Sequence, residues 1–319
     1  MKLIIQIPCF NEEETLPGVL AGVPNSISGV DEVVVLVIDD GSTDRTSEVA
    51  REHGAHHVVR NTGNLGLAFS FRRGLEESLT LGADIVVNLD GDHQYKPEEI
   101  PELIEPLLSG KADIVIGNRQ TDTIEEFSPL KRYLQRVGTK VVRWLSKVEV
   151  DDVTSGFRAF TSDAAIKLTV LSNYTYTLET ILQARSKGLI VENVKISTNP
   201  KTRESRLMSS IGTYITFSIA TIIRVFMMYN PLKVFLYLGG SCILLGSALF
   251  VRFLYFYFTV GGQGKVQSLV IGATFLILGG LIALVGMLAD IIQFNRRLQE
   301  ETLILLKKER ADRLRVSNH

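Results

Sequence analysis

Ile85-Val86-Val87-Asn88-Leu89-Asp90-Gly91-Asp92 reads as a buried strand that runs straight into two carboxylates. In an open α/β sheet, ligands sit just beyond the carboxyl ends of the strands, so these acids stand where a site belongs. Residues two apart on an extended chain point the same way, which lets Asp90, Asp92 and Gln94 converge on one oxygen-liganded cation while His93 faces elsewhere. A divalent ion held by so few protein oxygens keeps coordination positions for a diphosphate. An isolated Asp-x-Asp is more often a polar turn than a metal site, so its surroundings have to decide.

On either side, short β-rich runs alternate with helical stretches, the pattern of a mainly parallel sheet covered on both faces. The spacing predicts strands at 3–7, 32–38, 57–59, 85–89, 114–116 and 189–196, with helices at 13–20, 44–53, 67–81 and 97–108. Asn11 and Ser42-Thr43 carry side chains suited to capping helix starts. Farther along, 121–128 reads as a loop, 129–145 as an amphipathic basic helix and 176–187 as another helix.

Acids recur after successive predicted strands: Glu12 after the first, Asp39 and Asp40 after the second, Asp90 and Asp92 after the fourth. In a mainly parallel sheet those ends share one edge. A dinucleotide-binding fold also places an acid after its second strand, but it needs Gly-x-Gly-x-x-Gly in the first strand-to-helix turn. This chain has Pro8-Cys9-Phe10-Asn11-Glu12 there, and no Walker-type loop anywhere.

The 319 residues carry 34 basic and 35 acidic side chains, so overall charge makes no case for nucleic acid as a partner. Residues 234–251 and 266–289 are apolar runs without a charge, each near or beyond the roughly 18 to 20 residues that cross a bilayer. The stretch 208–229, interrupted by Arg224 and several hydroxyls, fits a helix lying in the membrane interface. Arg252 falls near the far end of the first run among Phe253, Tyr255, Tyr257 and Phe258, where a cationic side chain snorkels beside an aromatic belt. The loop 261–268 holds only Lys265, whereas Arg296, Arg297, Lys307, Lys308, Arg310, Arg313 and Arg315 follow the second run. By the positive-inside rule the C-terminus is expected in the cytosol, and two spans return the large N-terminal domain to the same side. Cys9 and Cys242, one in each part, suit that reducing setting, and the N-terminal apolar run is too short for a secretory signal. The expected divisions are an α/β domain at 1–207, interface helices at 208–231, a two-helix anchor at 232–294 and a basic tail at 295–319.

Four segments, in order and at compatible spacing, resemble the motifs of family 2 glycosyltransferases with a GT-A fold. They are Ile7-Pro8-Cys9-Phe10-Asn11-Glu12-Glu13, Asp39-Asp40-Gly41-Ser42-Thr43-Asp44, Asn64-Leu65-Gly66 and Asp90-Gly91-Asp92-His93-Gln94. Thr154-Ser155-Gly156-Phe157-Arg158 and the C-terminal apolar pair narrow the resemblance to relatives of dolichol-phosphate mannose synthase and the polyprenyl-phosphate glycosyltransferases. It covers essentially the whole chain.

This resemblance implies a Rossmann-like mixed, mainly parallel sheet. It also implies transfer of one sugar, with inversion, from a UDP- or GDP-linked donor to a polyprenyl phosphate in the membrane, with Mg²⁺ or Mn²⁺ as cofactor. Pro8, Glu12 and Asp39 are then expected to line the nucleoside pocket and Asp90, Asp92 and Gln94 to hold the metal, whereas Asp40 and Asp44 read as turn-organising residues on their local chemistry alone. A phosphate monoester carries about −1.5 to −2 charges near neutral pH and is already a nucleophile, so no Ser-His-Asp arrangement is required. In-line placement and stabilisation of the departing diphosphate are what the site must provide. Two anions meeting demand cations. Arg119 in Gly117-Asn118-Arg119 matches a phosphate-contacting family position, and Lys131, Arg132 and Arg136 lie on the basic helix that follows. Arg158 closes the Ser-Gly-Phe-Arg motif. Arg203 and Arg206 belong to a segment that resembles the family's Arg-x-x-Gly-x-Ser-Lys pattern but has Glu204 where Gly is frequent and Arg206 in place of Lys. Guanidinium forks suit phosphate oxygens, and Asp92 with Arg119 are the residues expected to carry the chemistry.

Other signals weigh less. His53, His56 and His57 sit on a helix exit and a strand start, a poor zinc site. Lys140-Val141-Val142-Arg143-Trp144 is similar to the Gln-x-x-Arg-Trp of processive polysaccharide synthases, but has Lys for Gln and precedes Ser-Gly-Phe-Arg, so an amphipathic helix face accounts for it better. Glu179 reads either as a substrate-orienting acid or as a solvated helix carboxylate. A processive synthase would need more than two spans to build a channel, and a non-catalytic membrane scaffold has no use for an intact Asp90, Asp92 and Gln94. The identity of the sugar, the lipid and any homo-oligomer are left open by the sequence.

Overall fold

The computed structural model describes residues 1–120, 129–170, 176–200, 227, 231–261 and 266–317. Its centre is β1 (Lys2–Cys9), whose near-continuous apolar run suits a strand covered on both faces. Alternate residues feed two cores: Leu3, Ile5 and Ile7 on one side, Ile4 on the other. β1 pairs in parallel with β2 (Glu32–Asp39) and β4 (Ile85–Asn88), and β2 with β3 (His57–Arg60). Beyond β4 the sheet changes direction. β6 (Arg158–Thr161) runs antiparallel between β4 and β5 (Ile114–Asn118), and β7 (Val191–Lys195) closes the far side parallel to β5. The seven-stranded order is β3-β2-β1-β4-β6-β5-β7, the mixed, mainly parallel sheet that the sequence implies.

Helices α1 (Leu16–Gly22), α2 (Thr46–Glu52) and α4 (Ile100–Leu108) supply the first core with Leu16, Val19, Ala50, Leu103 and Ile104. A 3-10 turn at Pro97–Glu99 leads into α4. The second core takes Phe71 and Leu75 from α3 (Leu67–Thr80) and Val142 from α5 (Pro129–Ser146). Ala165 from α6 (Ser162–Lys167) and Ile181 from α7 (Thr177–Ser186) complete it.

The predicted strands and helices appear within a few residues, but two short elements, β6 and α6, have no counterpart in the sequence pattern. The capping expectation is corrected as well. α1 starts at Leu16 without a side-chain cap, while Asn11 sits at φ +55°. The Oδ1 of Asn11 accepts the Thr43 N–H at 2.8 Å, and Ser42 Oγ accepts the Asn11 N–H at 2.9 Å. The two segments expected to start helices tie the first two strand-exit loops to each other.

The chain divides into two compact units, Met1–Thr216 with Leu303–His319, and Phe217–Thr302. The second holds α8 (Pro231–Val260) and most of α9 (Val266–Ser317), two helices long and apolar enough to cross a membrane. They meet through glycines one heptad apart. A Cβ at Gly239 would lie 2.8 Å from the Gly279 carbonyl oxygen, and one at Gly246 2.8 Å from that of Gly272. Backbone contact this close is how membrane helices gain dispersion energy without a hydrophobic driving force. The expected basic tail is helical, and its end belongs to the first unit: Lys308 pairs with Asp163 at 3.1 Å, and Lys307 Nζ donates to the Leu168 carbonyl at 3.5 Å. The expected loop at 121–128 lies outside the described residues, as does all of 208–230 except Met227.

Candidate active site

β1, β2 and β4 deliver their carboxyl ends to one edge, with Cys9 level with Asp39. A cavity of about 290 Å³ opens there. Pro8, Phe10 and Glu12 line it from the first turn, Asp40 from the second, Gly66, Leu67 and Ser70 from the start of α3, and Asp90 and Asp92 from the turn after β4. Four residues expected from the sequence, Pro8, Glu12, Asp90 and Asp92, share this wall. Asp39 and Gln94 are not on it.

Asp39 is fully buried. Its carboxylate accepts the Ser42 N–H at 2.8 Å and the Ser47 hydroxyl, with Arg60 Nε 3.7 Å away. Asp40 reaches the cavity and organises the loop above it: Oδ1 accepts from Asn61 Nδ2 at 2.7 Å and the Leu65 N–H at 3.1 Å, and Oδ2 accepts from the Gly66 N–H at 2.8 Å. One carboxylate therefore sets the position of α3's first turn.

The segment after β4 is not extended. Gly91 and Asp92 form a turn and His93 adopts φ +58°, so the two acids share the cavity through a turn and not through a two-residue period. Gln94 lends its backbone instead: its N–H donates to Asp92 Oδ1 at 3.0 Å and its carbonyl accepts from Asn199 N–H at 2.9 Å. Asp90 Oδ1 is enclosed without a hydrogen-bond partner. Burial, then the charge of Asp92, push the Asp90 carboxyl up to about 7, against the pull of Arg119. Across from it stands Gly156, where a Cβ would lie 2.5 Å from Asp90 Oδ2. The Gly156 backbone is held on both sides: its N–H donates to Tyr95 Oη at 2.9 Å, and its carbonyl accepts from Asn88 Nδ2 at 2.9 Å and Tyr176 Oη at 3.2 Å.

Arg119, 10% exposed, is locked to buried Asp152 by a two-pronged pair, Nε to Oδ2 at 2.7 Å and Nη2 to Oδ1 at 3.0 Å, and Nη2 also donates to Thr154 Oγ1 at 2.7 Å. Burial works against both charges and loses: Tyr95 and Asp152 raise the Arg119 pKa, and Arg119 holds the Asp152 carboxyl below its ordinary range. Arg158 is a staple. Fully buried, it donates to the carbonyls of Val153, Ser155 and Thr177 and to Thr180 Oγ1, and burial lowers its pKa to about 10.

Residues 4–169 match the family model described as glycosyl transferase family 2. The chain belongs to that family. Polyprenol monophosphomannose synthase of Mycolicibacterium smegmatis is 28% identical over 207 residues, 61% of this chain and 77% of that protein. Undecaprenyl-phosphate mannosyltransferase of Micrococcus luteus is 29% identical over 197 residues, 59% of this chain and 79% of that protein. Among solved structures, glucosyl-3-phosphoglycerate synthase of Mycobacterium tuberculosis, in complex with Mn²⁺, uridine-diphosphate-glucose and phosphoglyceric acid, shares the fold. Its TM-score is 0.53 at 22% identity, over 69% of this chain and 79% of that one.

In this glycosyltransferase the donor set of the cavity fits a hard divalent cation. Asp90 and Asp92 are neighbouring carboxylates, one with an enclosed oxygen that has no hydrogen-bond partner among the described residues, and a bound divalent cation would relieve their mutual repulsion. No cluster of three or more His, Cys, Asp or Glu side chains arranged for a metal occurs among the described residues. Two of the three clustered histidines engage the backbone, with His56 Nδ1 accepting the Val35 N–H at 3.0 Å and His53 Nδ1 2.9 Å from the Val49 carbonyl oxygen. Lys131 and Arg132 fall in the first turn of α5, and Arg203 and Arg206 lie outside the described residues. Glu179 is 1% exposed, which rules out a solvated helix carboxylate. Sequence reasoning missed Asp152, Tyr95 and the role of Gly156. Asp152 stands in the Asp-Asp doublet just before Thr154, the one signal that could have found it.

Proposed function

We propose that this glycosyltransferase moves a single sugar, with inversion, from a UDP- or GDP-linked donor to a polyprenyl phosphate at the cytosolic face of a membrane. The observation that carries this is the enclosed, unpartnered oxygen of Asp90 beside Asp92, on a cavity at the sheet edge of a chain that also has two membrane-length helices. The polyprenol monophosphomannose synthase and undecaprenyl-phosphate mannosyltransferase relatives support the lipid-phosphate acceptor.

In this mechanism Pro8, Phe10 and Glu12 wall the nucleoside side of the cavity, and Asp40 fixes the loop and the first turn of α3 around the donor. Asp39 acts from behind this wall by bracing the Ser42–Ser47 loop. Asp90 and Asp92, with Gln94 fixing the turn, would hold Mg²⁺ or Mn²⁺, which when bound neutralises the diphosphate and makes it a better leaving group. Asp152 holds Arg119 through Nε and Nη2, and Arg119 is the cation that would address the acceptor phosphate. Lys131, Arg132, Arg203 and Arg206 add positive charge around that anion. The acceptor oxygen attacks the anomeric carbon directly, so no protein nucleophile is needed. The domain assignment follows: catalysis in 1–207, interface helices at 208–231, the anchor at 232–294 and a cytosolic tail at 295–319.

Membranes containing the enzyme are incubated with radiolabelled UDP-glucose, UDP-N-acetylglucosamine and GDP-mannose in turn, and the lipid is extracted. One donor is expected to give a lipid product bearing one sugar. A product with many sugars would mean a processive synthase, and no label in lipid with any donor, from folded protein, would end the proposal.

A further inference from the structure

Among the described residues lining the cavity, only Asn64 and Ser70 carry an amide or a hydroxyl. Asn64 is exposed, whereas Ser70, in the first turns of α3, is 1% exposed. The direction of hydrogen bonding at Ser70 is fixed by its neighbours. An arginine can only donate, and Arg73 Nη1 donates to Asn61 Oδ1 at 2.6 Å. The amide nitrogen of Asn61 therefore faces the other way. It donates to Asp40 Oδ1 at 2.7 Å and to Ser70 Oγ at 3.0 Å, which uses both of its hydrogens. Ser70 is thus an acceptor toward Asn61, and its own proton has to go elsewhere. A helical serine can donate to the carbonyl four residues back, but here that oxygen, of Gly66, already takes the Phe69 and Ser70 N–H groups at 3.1 Å each. The Ser70 proton has no acceptor among the described residues, and its side chain stands on the cavity wall.

A buried hydroxyl proton without an acceptor is costly unless a ligand supplies one. A ribose diol brings protons of its own and suits the carboxylates of this wall, whereas a nucleobase carbonyl brings only lone pairs. We propose that Ser70 Oγ donates to a carbonyl oxygen of the donor's nucleobase. Ser70 then selects a base that carries a carbonyl, uracil or guanine, over adenine, whose exocyclic nitrogen carries protons instead and leaves the hydroxyl unanswered. Asn61 and Arg73 act through Ser70 as positioning residues. This role rests on the proposed nucleotide-sugar donor and narrows it.

Binding of UDP, GDP and ADP to the full-length protein in detergent, with Mg²⁺ present, is measured by isothermal titration calorimetry. UDP or GDP is expected to bind more tightly than ADP. Ser70→Ala is expected to weaken the preferred nucleotide about three- to tenfold, the loss of one hydrogen bond, and to leave ADP unchanged. Equal losses for all three nucleotides would overturn the proposal, because they mark a general distortion of the cavity. No loss for any of them, or tightest binding of ADP by the wild type, would overturn it as well. A loss that vanishes with the 2′-deoxy or 3′-deoxy form of the preferred nucleotide would place the hydroxyl on the ribose and refute the base contact. Wild-type protein that binds none of the three refutes the nucleotide-sugar donor and the role of Ser70 together. A selective loss in protein that labels no lipid supports Ser70 and refutes the lipid acceptor, and lipid labelling without the selective loss does the reverse.

Discussion

Gly156 and Asp90 share a boundary with no room for a methyl group. A Cβ at Gly156 meets the carboxylate at 2.5 Å, so Gly156→Ala has to displace Asp90. A shift of this kind typically costs about 10²-fold in rate, and steady-state kinetics on detergent-solubilised enzyme are expected to show that loss in kcat with the fold intact. Asp92→Asn removes a cavity carboxylate and is expected to abolish transfer while leaving the protein in the membrane fraction; surviving activity would remove Asp92 from the metal site. Asp152→Asn tests the buried pair. It leaves the buried Arg119 charge without its carboxylate counter-charge and is expected to cost about 3–5 kcal/mol in chemical denaturation at neutral pH. Because the folded Asp152 carboxyl lies below its ordinary range, the stability it supplies is complete above about pH 3.9 and is lost as pH falls through the lower folded value. The gap between wild type and Asp152→Asn should therefore narrow below about pH 4. At this scale the carboxylates Glu12, Asp90 and Asp92 were legible because they follow apolar strand runs. The pairing of Arg119 with Asp152, 33 positions apart, leaves no local pattern. Ser-Gly-Phe-Arg drew attention to its arginine, which is interior, while its glycine touches the acid.

Elements show the same division. β1, β2 and β4 were plain in the sequence because buried parallel strands are continuous apolar runs. β6 was hidden because it is four residues long and begins with Arg158, a charge that ordinarily ends a strand but here donates to three carbonyls and a hydroxyl. The turn at Gly91–Asp92 was read as a continued strand because a period of two over three residues does not distinguish extended chain from a turn. Among the helices, α8 and α9 depend on glycine contact, since a Cβ at Gly279 would lie 2.7 Å from the Gly239 carbonyl oxygen. Gly279→Leu should force the pair apart and destabilise it by about 1–3 kcal/mol. Fluorescence energy transfer between labels on the two helices during detergent unfolding would measure this, and an unchanged midpoint would show that the contact contributes nothing.

For the whole molecule, the proposed function gives the apolar helices and the cavity one shared requirement, a soluble donor meeting an acceptor that stays in the bilayer. Chelation is expected to stop transfer by the wild-type enzyme and added Mn²⁺ or Mg²⁺ to restore it, while Asp92→Asn stays inactive throughout. Lipid extraction after each addition reads the result, and transfer that persists after exhaustive chelation would remove the cation from the mechanism.

Both neighbours of β5, β6 and β7, come later in the chain than β5 itself. A nascent polypeptide emerging from the ribosome therefore carries β5 with two bare edges until residues 158–161 and then 191–195 follow it out. Any arrest of synthesis in that interval exposes an apolar Ile-Val-Ile ribbon with nothing to pair with, an invitation to sticking between unfinished chains.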